Sequence, residues 1–147
     1  DIFAGARTAA PSSGGGQFGL FTPGVYVGEE AGDRAYVFGL RADAANRSNL
    51  AVVNTGGPLA GPVTLEIQVF DGGRDGIPAG PPELLSLDPG RWAQIDGILG
   101  KRGVSVGWVE VSRKAGNSPW IAYGVVNDGG APGERTGDGA YVPMLRD

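Results

Sequence analysis

From residue 63 to residue 70 the chain alternates: Val63, Leu65, Ile67 and Val69 form one set, with Thr64, Glu66, Gln68 and Phe70 between them. A period of two is that of a β-strand with one buried face, so the four aliphatic residues are expected to enter a core. Upstream, Leu50-Ala51-Val52-Val53 is a short apolar run closed by Asn54-Thr55-Gly56-Gly57-Pro58. Those closing residues accept positive φ or forbid further pairing, and the two runs predict an antiparallel pair.

The same punctuation continues along the chain. Residues 2–8 and 17–22 flank a Gly-rich loop and predict an opening hairpin that ends at the Pro23-Gly24 turn. Strands are expected at 25–28 and 35–40. Three prolines, Pro78, Pro81 and Pro82, make residues 77–83 a loop by removing backbone donors. Residues 84–87 and 92–95 flank Asp88-Pro89-Gly90, where Pro presets φ and Gly takes the positive φ of a type II turn, so a hairpin corner is expected. A single helical turn is expected near 96–99, a further strand pair at 104–112 and 120–127, and a closing strand at 140–144. In the 120–126 run both alternating faces are apolar, which predicts a central strand buried between layers.

This spacing gives nine or ten short strands and no helix of ordinary length. The expected fold is all-β, an antiparallel β-sandwich of about eight to ten strands. Leu65, Ile67, Val69, Val53, Ile121, Val125 and Val109 are its expected core. Residues 1–23 form an N-terminal hairpin and residues 24–147 the sandwich domain. The hairpin sequence, residues 2–8 and 17–23, is echoed by residues 121–127 and 138–143. Two readings follow: two surface hairpins sharing β-type residues, or the same closing hairpin of a repeating unit, free to pair with a neighbouring domain or subunit.

Composition narrows the chemistry. Among 147 residues there are 12 basic and 16 acidic ones, a net charge of -4, which argues against wrapping nucleic acid or lying on an anionic membrane. There is no cysteine and no histidine, which excludes disulfides, thiolate chemistry, imidazole metal ligands and a Ser-His base. No catalytic residue is assigned, and the chain is read as a non-enzyme. No apolar run approaches the roughly 18 residues needed to span a bilayer. The opening residues lack the basic start and apolar centre of a signal peptide, so the sequence reads as a mature or excised chain. Lys101 and Lys114 stand beside ten arginines, and with the Gly, Ser and Thr content this points to an exported protein.

Arg47-Ser48-Asn49-Leu50-Ala51-Val52-Val53-Asn54 resembles the FRTNLGLVN-type run of a β-sandwich accessory module that recurs in secreted multidomain bacterial proteins. The matching pieces continue through residues 63–72, Leu87-Asp88-Pro89-Gly90, the YASVVDN-like stretch Ala122-Tyr123-Gly124-Val125-Val126-Asn127-Asp128, and Tyr141-Val142-Pro143. The resemblance covers residues 35–145, and Asn46 stands where that pattern has an aromatic. It implies an extracellular accessory domain without an established catalytic site.

Candidate sites are few. Asp71, Asp75, Asp128, Glu134 and Asp138 lie in Gly-rich loops, and calcium is the one ion such oxygens leave open. Arg74 interrupts the first loop, and aspartates that cap their own turns are the favoured account. Trp92, Trp108, Trp120, Tyr26, Tyr36, Tyr123 and Tyr141 are available for a carbohydrate platform, with Trp92, Trp108, Tyr26 and Tyr36 the candidate ligand contacts; core packing is the competing role. Glu29 and Glu30 are adjacent in a loop and do not face each other as glycosidase carboxylates do. Glu66 and Glu110 are expected on strands opposite Arg or Lys, and Arg47 and Asn49 are expected to brace a loop. The functional expectation is a non-catalytic structural or adhesive extracellular module, with protein partners or self-association through strand edges, possible head-to-tail growth and no cofactor. A carbohydrate-binding module is the alternative.

Overall fold

The computed structural model describes residues 3–11, 15–132 and 134–147. Ile2, the start of the expected first strand, lies outside them, as does the centre of the hairpin loop. Twelve strands are present: β1 (Gly5–Pro11), β2 (Gln17–Pro23), β3 (Arg34–Arg41), β4 (Asn46–Asn54), β5 (Val63–Asp71), β6 (Ile77–Pro78), β7 (Glu83–Leu87), β8 (Trp92–Ile95), β9 (Val106–Ala115), β10 (Trp120–Asp128), β11 (Gly139–Pro143) and β12 (Leu145–Arg146). Among the described residues the only helical element is a 3-10 turn, Gly100–Arg102, just after the expected position. Residues 25–28 are not a strand; there the Glu29 amide donates to the Tyr26 carbonyl in a turn.

Two antiparallel sheets pack face to face. One has the order β11-β10-β4-β8, the other β12-β3-β9-β5-β6, with β7 beside β6 on the same flank of β5. The β1-β2 hairpin is a separate two-stranded ribbon. The fold is therefore the antiparallel sandwich expected from turn spacing.

Three expected strand pairs do not form. β4 and β5 lie in different sheets, as do β7 and β8, and β9 and β10. Stacked sheets are only about 10 Å apart, so a short Gly-Pro connection crosses between layers as readily as it turns back within one. The Asp88-Pro89-Gly90 turn does have its expected geometry. Gly90 has φ of 71° and the Arg91 amide donates to the Asp88 carbonyl at 3.0 Å. It is a corner between sheets and not a hairpin.

Alternation along β5 places Val63, Leu65, Ile67 and Val69 inside, all with no exposed surface. They meet Val37 and Leu40 of β3, Val109 and Val111 of β9, Leu50 and Val52 of β4, and Trp120 of β10, each equally buried. Burying such a side chain contributes about 1.5–3 kcal/mol, which makes this layer the main source of stability. Trp120 keeps its one polar atom satisfied, its indole N–H donating to the Gly32 carbonyl at 3.0 Å.

Three of the expected core residues lie elsewhere. Val53 and Ile121 are half-buried, and Val125, though buried, is outside the main cluster. All three belong to the outward face of their sheet, because Trp120, Ala122 and Gly124 take the inward positions of β10. β10 is central in its sheet, between β11 and β4, but only its inner face is fully covered.

Candidate functional site

The polar residues of the 46–54 run are braces between elements. The Arg47 guanidinium donates to the carbonyls of Gly129 at 3.1 Å and Ala131 at 3.3 Å. Buried Ser48 uses its hydroxyl twice, donating to the Arg41 carbonyl at 2.7 Å and accepting the Arg41 amide at 2.8 Å, which ties β4 to β3 across the sandwich. Asn49 Oδ1 accepts the Gly97 amide at 2.9 Å, and buried Asn54 donates to the Leu87 carbonyl at 2.9 Å. Arg47 and Asn49 thus brace loops as expected. They also line a groove of about 600 Å³ at one end of the sandwich, with Asp43, Asp96 and Lys101. There Asp43 is held below the ordinary carboxylate range by the Ala45 amide and the Asn46 side chain, so at neutral pH it is ionised and donates no proton.

Three of the loop carboxylates, Asp71, Asp128 and Glu134, turn back on their own loops. Asp71 accepts the Gly73 amide at 2.9 Å, and Glu134 the Ala131 amide at 2.9 Å. Asp128 accepts the Thr136 hydroxyl at 2.7 Å and pairs with Arg135 at 3.0 Å. The Thr136 bonds, with Arg135 contributing, lower its pKa. Asp138 accepts the Gly19 amide at 3.0 Å, linking the hairpin to the sandwich, and Asp75 occupies a positive-φ turn position. Among the described residues no three such side chains gather as a metal cluster. Glu30 caps the Gly28 amide at 2.7 Å. Glu110 pairs with Arg34 at 3.4 Å and Glu66 with Lys114 at 2.7 Å, as strand alternation required.

The aromatic candidates divide into three environments. Trp120 is core. Tyr26 is exposed in the loop joining β2 to β3. Tyr36 and Trp108 stand on the outer face of the β12-β3-β9-β5-β6 sheet, in a row with Phe38 and Phe70 that the sequence reading missed. Ring centroids are 5.9 Å apart for Tyr36–Phe38, 5.8 Å for Phe38–Trp108 and 5.4 Å for Phe70–Trp108, the last pair only 7° from parallel. At that spacing the near-parallel rings are offset from one another, so each covers only part of its neighbour's face. The 71–76 turn also closes on Trp108: a Cβ at Gly76 would stand 2.2 Å from the indole edge. A sugar needs an open ring face, and in this row Phe38 is exposed.

Trp92 lies on the opposite sheet, 53% exposed, its indole N–H donating to the Tyr123 hydroxyl at 3.2 Å. Tyr123 in turn stacks on Tyr141 at 5.2 Å. Burial, with Tyr123 alongside, raises the pKa of Tyr141 above its usual 10.0. Beside this group β2 packs its Leu20 and Phe18 over Gly139 and Gly137, so that the hairpin overhangs the sheet.

No known protein-family model and no curated protein matches the chain. The fold is similar to the crystal structure of Thermotoga maritima 1070, with a TM-score of 0.58 over 80% of this chain and 96% of that one, at 11% sequence identity. At that identity the likeness is one of architecture. The class the chain defines is an antiparallel β-sandwich carrying an N-terminal β-hairpin; no helix among its described residues is long and apolar enough to cross a membrane.

Proposed function

We propose that the chain is a non-catalytic, extracellular structural or adhesive module that associates with other copies of itself through β1. One observation carries this reading: all seven residues of β1 are exposed, and the strand is hydrogen-bonded on one side only, to β2. Soluble proteins guard free strand edges with charge, proline or cover, because unpaired N–H and C=O groups recruit further strands. β1, Gly-Ala-Arg-Thr-Ala-Ala-Pro, carries one charge, at Arg7, and keeps its proline at the end. The sequence echo adds a second argument. β2 and β11 share a Gly-x-aromatic-x-Pro pattern, Gly19 to Pro23 and Gly139 to Pro143, and each ends with its Pro opposite the partner strand. β10, the partner of β11, has a second neighbour in β4, whereas β1 has none.

Addition of β1 to a different exposed sheet edge of a neighbouring copy is heterologous and need not close, so it builds head-to-tail chains. Export is supported by the arginine-weighted composition and by the likeness to accessory modules of secreted proteins. Light scattering on the full chain and on a form lacking residues 1–23 tests the assembly. Mass rising with concentration in the full chain only is the expected outcome. A full chain that stays monomeric up to millimolar concentration rejects it.

A further inference from the structure

Between the overhanging hairpin and the outer face of the β11-β10-β4-β8 sheet lies a cleft of about 350 Å³. Its walls are Phe18 and Leu20 from β2, and Asn49, Gln94, Val125 and Asn127 from β4, β8 and β10. Among the described residues none of its lining side chains is charged, although nearly one residue in five of the chain is (19%).

The three amides are oriented by what they already bind. Asn49 Oδ1 is held by the Gly97 amide at 2.9 Å, which leaves its NH₂ as a donor. The Gln94 NH₂ is held by Asp96 Oδ1 at 2.6 Å, which leaves its carbonyl oxygen as an acceptor. Asn127 has neither end engaged within the described residues. The array therefore offers donors and acceptors from neutral side chains. Trp92 precedes Gln94 by two residues, on the same face of β8, and the Gln94 row continues through Ala51 to Tyr123. Ala51, between those larger side chains, is covered, at 1% exposed.

We infer that this cleft is a binding site for a neutral oligosaccharide, its hydroxyls meeting Asn49, Gln94 and Asn127 and one apolar sugar face lying on Trp92. Hydroxyl groups both donate and accept, which matches an amide set of this kind, whereas an anion meets the Gln94 carbonyl and a cation finds no carboxylate among the lining residues. The inference goes beyond the self-association reading and gives the module a ligand class. Thr8, Ala9 and Ala10 of β1 also line the cleft, whereas assembly uses the free hydrogen-bonding edge of that strand, so the two are tested separately.

The test is a titration of the ¹⁵N-labelled full chain with cellohexaose, mannohexaose, xylohexaose and chitohexaose, and with oligogalacturonate as an anionic counterpart. At least one neutral hexaose is expected to move the side-chain NH₂ signals of Asn49 and Asn127 and the Trp92 indole signal, leaving the Trp108 indole in place. Asn127→Ala and Gln94→Ala should each weaken binding about tenfold, the effect of one hydrogen bond, and Trp92→Ala more. Gln94 is exposed on an edge strand, so its variant keeps the fold. Phe38→Ser, on the opposite sheet, should bind as the parent does. The inference is overturned if none of the neutral hexaoses perturbs these signals, if shifts gather on Trp108, or if only oligogalacturonate binds. Failure here with concentration-dependent mass retained would reject the sugar site and leave the assembly reading standing; the reverse pattern would do the opposite.

Discussion

Ser48 shows how much of the sandwich rests on one small hydroxyl. It is fully buried and serves both the carbonyl and the amide of Arg41, at the point where β3 leaves its ladder. Ser48→Ala removes one donor and one acceptor but leaves both backbone groups of Arg41 in place, and an unsatisfied buried group costs about 1–3 kcal/mol. A loss of about 2 kcal/mol in urea unfolding is expected, with the slope unchanged. A loss under about 0.5 kcal/mol would mean that water replaces the hydroxyl. The sequence marks Ser48 only as a small polar residue in an apolar run. What it binds lies seven residues away in another sheet, at a distance set by the bulge at Val37/Leu40 and Gly39.

At the scale of elements, the hairpin is the part whose role the sequence left open. β2 packs on its own sandwich beside β11 while β1 stays exposed, so the segment is both an intramolecular cover and an open edge. Pro23 and Gly24 also line the recess beside Tyr141. The raised pKa of Tyr141 comes first from burial and then from Tyr123. A raised tyrosine pKa means that stability is intact below pH 10 and declines as pH climbs from there through the folded value. Removing residues 1–23 should lower the Tyr141 pKa towards 10.0, read as an earlier phenolate absorbance transition, while the near-ultraviolet signal of buried Trp120 persists. An unchanged transition would mean that the hairpin contributes nothing to burying this ring.

For the molecule as a whole, Gly124 marks a close approach of the two sheets. A Cβ there would meet Leu40 Cδ2 at 2.7 Å and Val37 Cγ1 at 3.0 Å, both on the opposite sheet. Gly124→Val must therefore push the layers apart or displace two core side chains, an overpacking cost of about 3 kcal/mol. Thermal unfolding should shift down by several degrees in a single transition, as expected of one shared core. A separate early transition confined to one sheet would contradict a common core.

The sequence by itself determined the class of fold, the buried face of β5, the type II geometry at Asp88-Pro89-Gly90 and the bracing role of Arg47 and Asn49. Alternation and turn residues are local signals, read over a few positions without knowledge of a partner. Only the tertiary structure decided which strands pair, because aliphatic strands of similar length are interchangeable as neighbours and the turns between them serve either layer. It likewise separated Trp120 in the core from Trp108 in an outer aromatic row and Trp92 beside an amide-lined cleft. Those three indoles are chemically alike, and their roles come from the face of the sheet on which each one stands.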